Sequence, residues 1–251
     1  MDMSFYTCSV GAHQQQRRLD IHANNIANVN NYGFKARRPS FSVLMTGSLR
    51  GINEELARGA GSRLESAEMD QGSEEFWGTE RGLDYAIEGN GFFALLDPTT
   101  GEYRYTREGS FTLSNVEEEI IPEDDIVPQR IYRWYLSDGE GRYVLGTDGQ
   151  PIVVEDPTEA HLVGKPLPIG IFDFINYNGM LNQYNGMVPV AKNGQVALGN
   201  SGKLVQGYLE LSNVDYAYEI TKVVETQRSF QYMLRMVQTS DEITTTVNGL
   251  R

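Results

Sequence analysis

The chain has 251 residues, of which 40% are apolar, and a formal net charge of −13. Residues 1–38 carry five Lys and Arg against two Asp and Glu (+3), and residues 212–251 carry four against five (−1), which leaves −15 for the middle. The apolar content suffices for a folded core, and an acidic middle disfavours nucleic acid and anionic membranes as partners. The single cysteine, Cys8, excludes an intrachain disulfide.

The sequence contains no run of eighteen apolar residues that would predict a membrane-spanning helix. Its first thirty residues lack the basic start, apolar stretch and small-residue cleavage site of a secretory signal. Composition and segment patterns alone therefore indicate a cytoplasmic protein.

The first predicted element is a helix over residues 3–29. Its seam positions recur alternately three and four residues apart, as on one face of a coiled-coil helix: Phe5, Cys8, Ala12, Gln15, Leu19, His22, Ile26 and Val29. Asn30, Asn31 and Gly33 end the helix, because they tolerate left-handed backbone. Burial of one narrow face does not offset the entropy of ordering such a helix, so we expect neighbouring subunits to complete its order.

The next stretch is basic and then loop-like. The favoured interpretation is that Lys35, Arg37 and Arg38 form a solvated turn. The alternative is that they contact the acidic middle of a neighbouring subunit. Residues 41–45 predict a short strand, and residues 46–70 read as a loop.

The middle of the chain, from about residue 69 to 207, predicts short strands separated by turns. The strand segments are Tyr85–Glu88, Gly91–Leu96, Tyr103–Thr106, Ile131–Leu136, Tyr143–Leu145, Pro151–Val154, Leu167–Phe174 and Lys203–Leu209. The turn signals are Asp138-Gly139, Asp148-Gly149, Asn178-Gly179 and Asn193-Gly194. Acidic residues 117–119 and 123–125 predict a solvated insertion loop, since their spacing lacks the alternating ligands of a calcium loop.

A second long helix is predicted from Tyr216 to the end of the chain. Its seam comprises Tyr216, Ile220, Val223, Gln227, Phe230, Leu234 and Val237, and then shifts by one residue to Ile243, Val247 and Leu250. Ser212 and Asp215 are spaced as a capping box at its start. The polar seam residues Gln15 and Gln227 are of the kind that sets register in coiled coils.

Motifs that suggest chemistry have simpler structural explanations. Gly89-x-Gly91-x-x-Ala94 fits a loose dinucleotide fingerprint, but the apolar run that follows is too short for the required helix, so a hairpin turn is favoured. His13, His22 and His161 lack metal-ligand spacing, and the adjacent acidic pairs are not placed for acid–base catalysis. We therefore predict a protein that is not an enzyme, with no catalytic, cofactor-binding or metal-binding residues.

Several segments together resemble a known family. They are Ala23–Asn30 with Gly33-Phe34-Lys35, Leu83–Phe93, Tyr105–Phe111, Gln206–Val214 and Glu225–Arg228. In this order they are similar to the bacterial flagellar rod and hook family, and within it to basal-body rod proteins of the FlgG and FlgF type. The likeness covers both ends and about half of the middle, whereas residues 116–131 have no recognised counterpart.

The resemblance implies a structural subunit that polymerises helically into a hollow shaft, which transmits torque to the hook and encloses the export channel. It implies as partners further copies of the chain, other flagellar rod and hook proteins and the flagellar export apparatus. It also changes the expected location, from the cytoplasm to the flagellar basal body in the cell envelope, reached without a cleaved signal peptide. A distal position in the rod is slightly favoured over a proximal one.

The fold class expected is α+β, with paired terminal helices as a coiled-coil axial domain around a central all-β domain. The domain bounds expected are residues 1–35 and 212–251 for the helical domain, 36–68 for an extended connector and 69–211 for the β domain. The predicted assembly interface comprises Phe5, Leu19, Asn24, Asn25, Ile26, Asn28, Gly33, Phe34, Asn213, Ile220, Val223, Gln227, Phe230, Leu234 and Val237.

One alternative of another class stays open at this point. The chain could be an acidic, β-rich ligand- or carbohydrate-binding module whose helices form only a stalk or a dimer. It predicts a pocket lined by Tyr132, Trp134 and Tyr135.

Overall fold

The computed structural model describes residues 3–44, 47–48, 57–58, 62–70, 72, 75–120, 129–160, 162–177, 180–183, 186–190, 193–194, 197–198 and 202–250. The chain divides into two compact units. The helical unit consists of Met1–Val29, Ala36–Asp70 and Val214–Arg251, and the β unit consists of Asn30–Lys35 and Gln71–Asn213. The predicted α+β class is confirmed.

The elements follow one another in this order. The chain begins with α1 (Met3–Ala27), β1 (Arg37–Val43), β2 (Gly47–Ser48), β3 (Ala57–Arg58) and β4 (Ser62–Met69). It continues with β5 (Phe76–Gly78), β6 (Tyr85–Gly89), β7 (Phe92–Leu96), β8 (Tyr103–Thr106), β9 (Thr112–Ile120), β10 (Gln129–Ser137), β11 (Tyr143–Val144), β12 (Val153–Val154) and α2 (Pro157–Ala160). It ends with β13 (Ile171–Asp173), β14 (Leu181–Gln183), β15 (Gly186–Val188), β16 (Ala197–Leu198), β17 (Gly202–Gln206), β18 (Tyr208–Glu210) and α3 (Tyr216–Gly249).

In the helical unit, α1 and α3 pack against each other in antiparallel orientation. His22 meets Glu219 near the end of α1, and Gly11 faces Met233 further along. The approach at Gly11 is close, because a Cβ placed there would lie 2.9 Å from Sδ of Met233. A larger side chain at position 11 would therefore require the flexible side chain of Met233 to move.

The start of α3 differs from the capping box predicted at Ser212. The N-cap is Asp215, whose carboxylate accepts hydrogen bonds from the backbone N–H groups of Ala217 and Tyr218 at 3.0 and 3.1 Å. The hydroxyl of Ser212 is buried and has no hydrogen-bond partner among the described residues. The physical reason is that an N-cap carboxylate must reach the N–H groups two and three residues ahead of it.

The helical unit also contains a two-stranded antiparallel sheet, in which β1 pairs with β4 from Arg37↔Met69 to Val43↔Ser62. The backbone N–H of Leu64 donates to Oε1 of Gln14 on α1 at 2.9 Å, which ties this sheet to the helix. The prediction of a loop over residues 46–70 is therefore wrong for β4. The polar sequence of β4 did not indicate a strand, because this strand forms through the pairing of its backbone with β1.

In the β unit all strand pairs are antiparallel. The largest sheet has the order β12-β10-β11-β7-β8-β15-β14, with β9 added to β10 and with β13 paired to both β7 and β16. Two further pairs, β17 with β6 and β18 with β5, bring the last strands of the unit back to the first. The end of the β unit is thereby held beside its beginning.

An apolar core lies among these strands, with Phe93 and Phe111 packed edge to face at a centroid distance of 5.1 Å. Its buried members are Leu83, Tyr85, Ile87, Phe93, Leu95, Phe111, Leu136, Val144, Ile152, Val154, Ala160, Ile169 and Ile171. Several of them fall in the segments that resemble the flagellar family, so these segments include the packing centre of the β unit.

All eight predicted strand segments contain strands, and the last is divided by Gly207 into β17 and β18. The turn signals at 138–139, 148–149 and 193–194 coincide with backbone hydrogen bonds that close turns, and Asn178-Gly179 lies outside the described residues.

Strand β9 was missed, because it runs through residues 117–119, where an acidic loop was expected, and β5, β14, β15 and β16 also lie outside the predicted strand segments. Strand β9 pairs with β10 in unbroken register from Thr112↔Ser137 to Ile120↔Gln129, and Arg130 offsets Glu117 across the pair at 3.1 Å. The acidic residues 123–125 lie outside the described residues.

Among the described residues, neither long helix is apolar enough over a sufficient length to cross a membrane.

Candidate assembly surfaces

Helix α3 packs through an inner face that repeats every seven residues. Glu219 and Thr226 on this face are buried, and Met233 and Ser240 are half-buried. Seven residues make nearly two helical turns, so these side chains share one side of the helix.

Two other sides of α3 carry exposed apolar residues. The first exposed stripe comprises Tyr216, Ile220 and Leu234, and the second comprises Tyr218, Tyr232, Met236, Ile243 and Val247; each of these side chains is between 39% and 64% exposed. At 100° per residue the two stripes lie on roughly opposite sides of α3, each about a quarter-turn from the inner face. Large apolar residues repeated in this way mark surfaces for association with other chains.

The predicted seam of α3 is therefore out of phase with the packed face. Val223, Phe230 and Val237 are half-buried at the border of the inner face, whereas Gln227 is exposed and Ile220 and Leu234 belong to the first exposed stripe. The sequence pattern found the apolar positions correctly. It did not show that polar Glu219 and Thr226, rather than Ile220 and Gln227, face α1.

On α1 the predicted interface residues differ in exposure. Phe5 is 39% exposed, Asn24 is exposed, and Leu19, Ile26 and Asn28 are half-buried. The side chain of Asn28 donates to the backbone oxygen of Asn24 at 2.7 Å, so it helps to finish the helix.

Asn25 is fully buried in a polar cluster of the helical unit. Its Nδ2 donates to Oε1 of Glu219 at 3.0 Å and to the backbone oxygen of Arg37 at 2.9 Å, and its Oδ1 accepts from the backbone N–H of Arg37 at 3.0 Å. His22 Nδ1 lies 2.5 Å from Oε2 of Glu219, and both side chains are buried. The three hydrogen bonds of the Asn25 amide lie within the chain, and the predicted contact of Asn25 with a neighbouring subunit stays a prediction.

A second buried cluster lies in the β unit and contains two cations and one anion. Glu210 receives Lys35 Nζ at 2.6 Å on one oxygen and Arg107 Nη1 at 3.1 Å on the other, and all three side chains are almost fully buried. The additional positive charge is met by backbone carbonyls: Lys35 donates to Gly72, and Arg107 donates to Ile87 and Gly89. Such a cluster is stable only because each charge has partners.

The segment around Gly33 is held by the same region of the β unit. The N–H of Gly33 donates to the carbonyl of Glu210 at 2.7 Å, and Gly33 adopts φ +67° at a point where a Cβ would lie 2.3 Å from the carbonyl carbon of Arg107. Half-buried Phe34 accepts from the N–H of Asn213, whose side chain reaches the carbonyl of Gly72. Gly33 is buried and shapes the chain from inside, and its predicted role in an interface stays a prediction.

The basic residues after α1 are not a solvated turn throughout. Lys35 is buried on Glu210 of its own chain, and Arg37 is half-buried, so that burial lowers the pKa of its guanidinium. Arg38 fits the predicted solvated position, since its side chain is 75% exposed beside Asp70.

The charged pairs were missed from the sequence, although a signal was present. Lys35, Arg107 and Glu210 each fall inside a segment that carries the family resemblance, beside apolar residues of the core. Charged residues in such surroundings are candidates for buried pairs.

The aromatic pocket of the alternative reading is not formed. Tyr135 is buried and stacks on Tyr143 at 4.7 Å, whereas Tyr132 is 64% exposed. Residues three apart on β10 point to opposite faces of a strand, so Tyr132 and Tyr135 cannot line one pocket. Within the described residues, no group of three His, Cys, Asp or Glu side chains is placed to hold a metal ion.

A long terminal helix with two exposed apolar stripes is typical of subunits of larger assemblies. Comparison with known proteins gives the particular family. Residues 5–35 match the family described as flagella basal body rod protein, residues 86–130 the D1 domain of flagellar hook protein FlgE/F/G, and residues 205–250 the C-terminal region of flagellar basal body rod FlgEFG proteins.

Whole-length relatives agree with these matches. The flagellar basal-body rod protein FlgG of Buchnera aphidicola subsp. Schizaphis graminum is 30% identical, with 96% of each chain covered, and FlgG of Bacillus subtilis (strain 168) is 30% identical with the same coverage. The rod protein FlgF of Mesorhizobium japonicum is 28% identical over 99% of each chain. The chain belongs to the flagellar basal-body rod protein family, and it is a structural component of the flagellar basal body.

Proposed function

We propose that this chain polymerises head to tail with helical symmetry into the hollow shaft of the rod, which transmits torque to the hook and encloses the export channel. The observation that carries the proposal is the pair of exposed apolar stripes on α3. With the inner face occupied by α1, the stripes offer contacts to neighbours on two sides.

Two different contact surfaces favour an open polymer over a closed dimer. A twofold dimer uses one self-complementary patch, whereas a heterologous contact joins two unlike patches and repeats without closing. The first and second exposed stripes differ in composition and position along α3, as unlike patches must. Their burial between subunits would also supply the order that the isolated helices lack.

The proposed arrangement places the helical unit along the axis of the polymer. The predicted bounds are residues 1–35 and 212–251 for the axial domain and 69–211 for the β domain, and we propose to move residues 30–35 and 212–213 to the β domain, with which they group. The connector proposed for residues 36–68 includes the β1–β4 sheet, whose hydrogen bond to Gln14 supports grouping it with the axial helices.

In this proposal the partners are further copies of the chain, other rod and hook proteins and the flagellar export apparatus, which would deliver the chain without a cleaved signal. Helices that become fully ordered only on assembly would keep the exported chain from polymerising early. We also propose a distal position in the rod, on the basis of the family resemblance of the Gln206–Val214 segment.

The test is assembly of full-length protein that carries Leu234→Asp in the first stripe or Ile243→Asp in the second. Both residues are about half exposed, so a charge there should leave the monomer folded by circular dichroism yet block the burial that assembly needs. Sedimentation and electron microscopy should show polymers for the parent and none for either variant.

The matched control is Thr246→Asp, which adds the same charge at an exposed residue between the two stripes. It should assemble like the parent. Normal polymers from both stripe variants would exclude the stripes as subunit contacts, and assembly lost in only one variant would exclude the other stripe.

A further inference from the structure

We propose that the polar cluster of His22, Asn25 and Glu219 sets the register of α1 against α3, selecting one alignment over those displaced by a heptad. This inference concerns helix pairing within one chain, so it stands or falls independently of the proposed polymer.

The seven-residue repeat of the inner face of α3 does not by itself choose a register. The inner face of α3 repeats through Glu219, Thr226, Met233 and Ser240, so a shift of seven residues brings a side chain of the same phase opposite α1. At one end of this face, the carboxylate of Glu219 accepts hydrogen bonds from two side chains of α1, His22 and Asn25. The hydroxyl of Thr226 bonds its own helix, at the carbonyl of Lys222.

The glutamines that the sequence suggested for this role do not perform it. Gln227 is exposed, and Oε1 of half-buried Gln15 has no hydrogen-bond partner among the described residues. We assign the choice of register instead to the buried carboxylate of Glu219, which has two hydrogen-bond donors on α1.

A displaced alignment would leave the carboxylate of Glu219 without these hydrogen-bond donors. A shift of seven residues moves Glu219 by about 10 Å along the helix axis, which is out of reach of both His22 and Asn25. The amide of Asn25 cannot follow, because the backbone of Arg37 holds it through two hydrogen bonds. Glu219 is only 5% exposed, and a buried carboxylate without partners is strongly disfavoured.

The experiment is disulfide trapping in the full chain, with Cys8→Ser removing the native thiol. Gly11→Cys with Met233→Cys reports the observed alignment, since these positions are in contact. Gly11→Cys with Thr226→Cys or with Ser240→Cys reports alignments displaced by one heptad in either direction. Peptide mass spectrometry after mild oxidation identifies the bonds, and the mass on a non-reducing gel separates bonds within a chain from bonds between chains.

In the parent, the 11–233 bond should form and the displaced bonds should be rare. In the double variant His22→Leu with Glu219→Leu, displaced bonds should rise about tenfold or more relative to the 11–233 bond, a ratio equivalent to about 1.4 kcal/mol. Glu219→Gln still accepts hydrogen bonds and should keep the parent register. Thr226→Val removes a buried hydroxyl that bonds its own helix, and it should also keep the parent register. This variant is tested with the Gly11→Cys and Ser240→Cys pair.

An unchanged ratio in a double variant that still forms the 11–233 bond would overturn the inference. If the double variant fails to form helices, Glu219→Ala carries the same test without adding volume. A ratio unchanged there would overturn the inference equally.

Discussion

Two residues of the Asn30–Lys35 segment are held in the β unit by different forces. Lys35 is fixed by charge, through Glu210 and the carbonyl of Gly72. Gly33 is fixed by shape, because its positive φ and its contact with the Arg107 backbone leave no room for a side chain. Removing one partner of a buried ion pair generally costs about 3–5 kcal/mol, so this short segment is a large contributor to the stability of the unit.

At Gly33, substitution by alanine should cost roughly 3 kcal/mol or more, the sum of left-handed strain and a steric clash. Gly101→Ala separates the two effects, since Gly101 has a similar φ of +71° but open space around its Cβ position, and it should cost about 1–2 kcal/mol. Chemical denaturation of each variant measures both values. Equal losses at the two glycines would show that the contact with Arg107 contributes nothing.

Among the elements, α3 is fixed by hydrogen bonds at its start, whereas its C-terminal end is exposed. Asp215 caps its first turn through two backbone hydrogen bonds, and Glu219 anchors it to α1 one turn later. From residue 241 to 250 every residue is exposed. The helix is thus tied down at its beginning, and its remaining length offers surface for other chains.

Replacing Asp215 by alanine should lower the free energy of unfolding of the helical unit by about 1 kcal/mol, since two N–H groups lose their acceptor. Asp241→Ala makes the same charge change in the exposed interior of α3, where alanine is the better helix former, and should be neutral or slightly stabilising. Thermal unfolding followed by far-ultraviolet circular dichroism compares the two. A loss at Asp241 as large as that at Asp215 would mean that charge, not capping, is responsible.

For the molecule as a whole, each unit contains its own buried polar cluster, and the resemblance segments contribute to both. His22, Asn25 and Glu219 serve the helical unit, while Lys35, Arg107 and Glu210 serve the β unit. We therefore propose that stability and subunit contact depend on different residues, with buried charges maintaining each unit and exposed apolar residues serving assembly.

Trypsin digestion of the full chain should test this division. In the monomer, cleavage should begin after exposed Arg228 and Arg235 on α3, while buried Arg104 and Arg142 in the β unit resist the same protease, because cleavage requires local opening of the chain. Mass spectrometry of sedimented polymer should show that the α3 sites become protected. Rapid cleavage of α3 in the polymer would contradict its burial between subunits.

The sequence by itself determined the terminal helices, the strand-rich middle and the family, because helical periodicity, turn residues and local motifs are properties of neighbouring residues. It also located the apolar positions of α3. It failed where a polar segment forms a strand by pairing with another: β4 pairs with β1, and acidic β9 pairs with the next strand, β10.

Only the tertiary structure decided which face of α3 meets α1 and which charged residues are buried. A heptad pattern gives several apolar phases of similar strength, and the choice among them depends on Glu219 meeting His22 and Asn25, 197 and 194 residues away along the chain. Likewise Lys35 reads as solvated until Glu210, 175 residues later, is brought beside it. Burial of a charge is a property of the whole fold, since it depends on partners that sequence proximity does not supply.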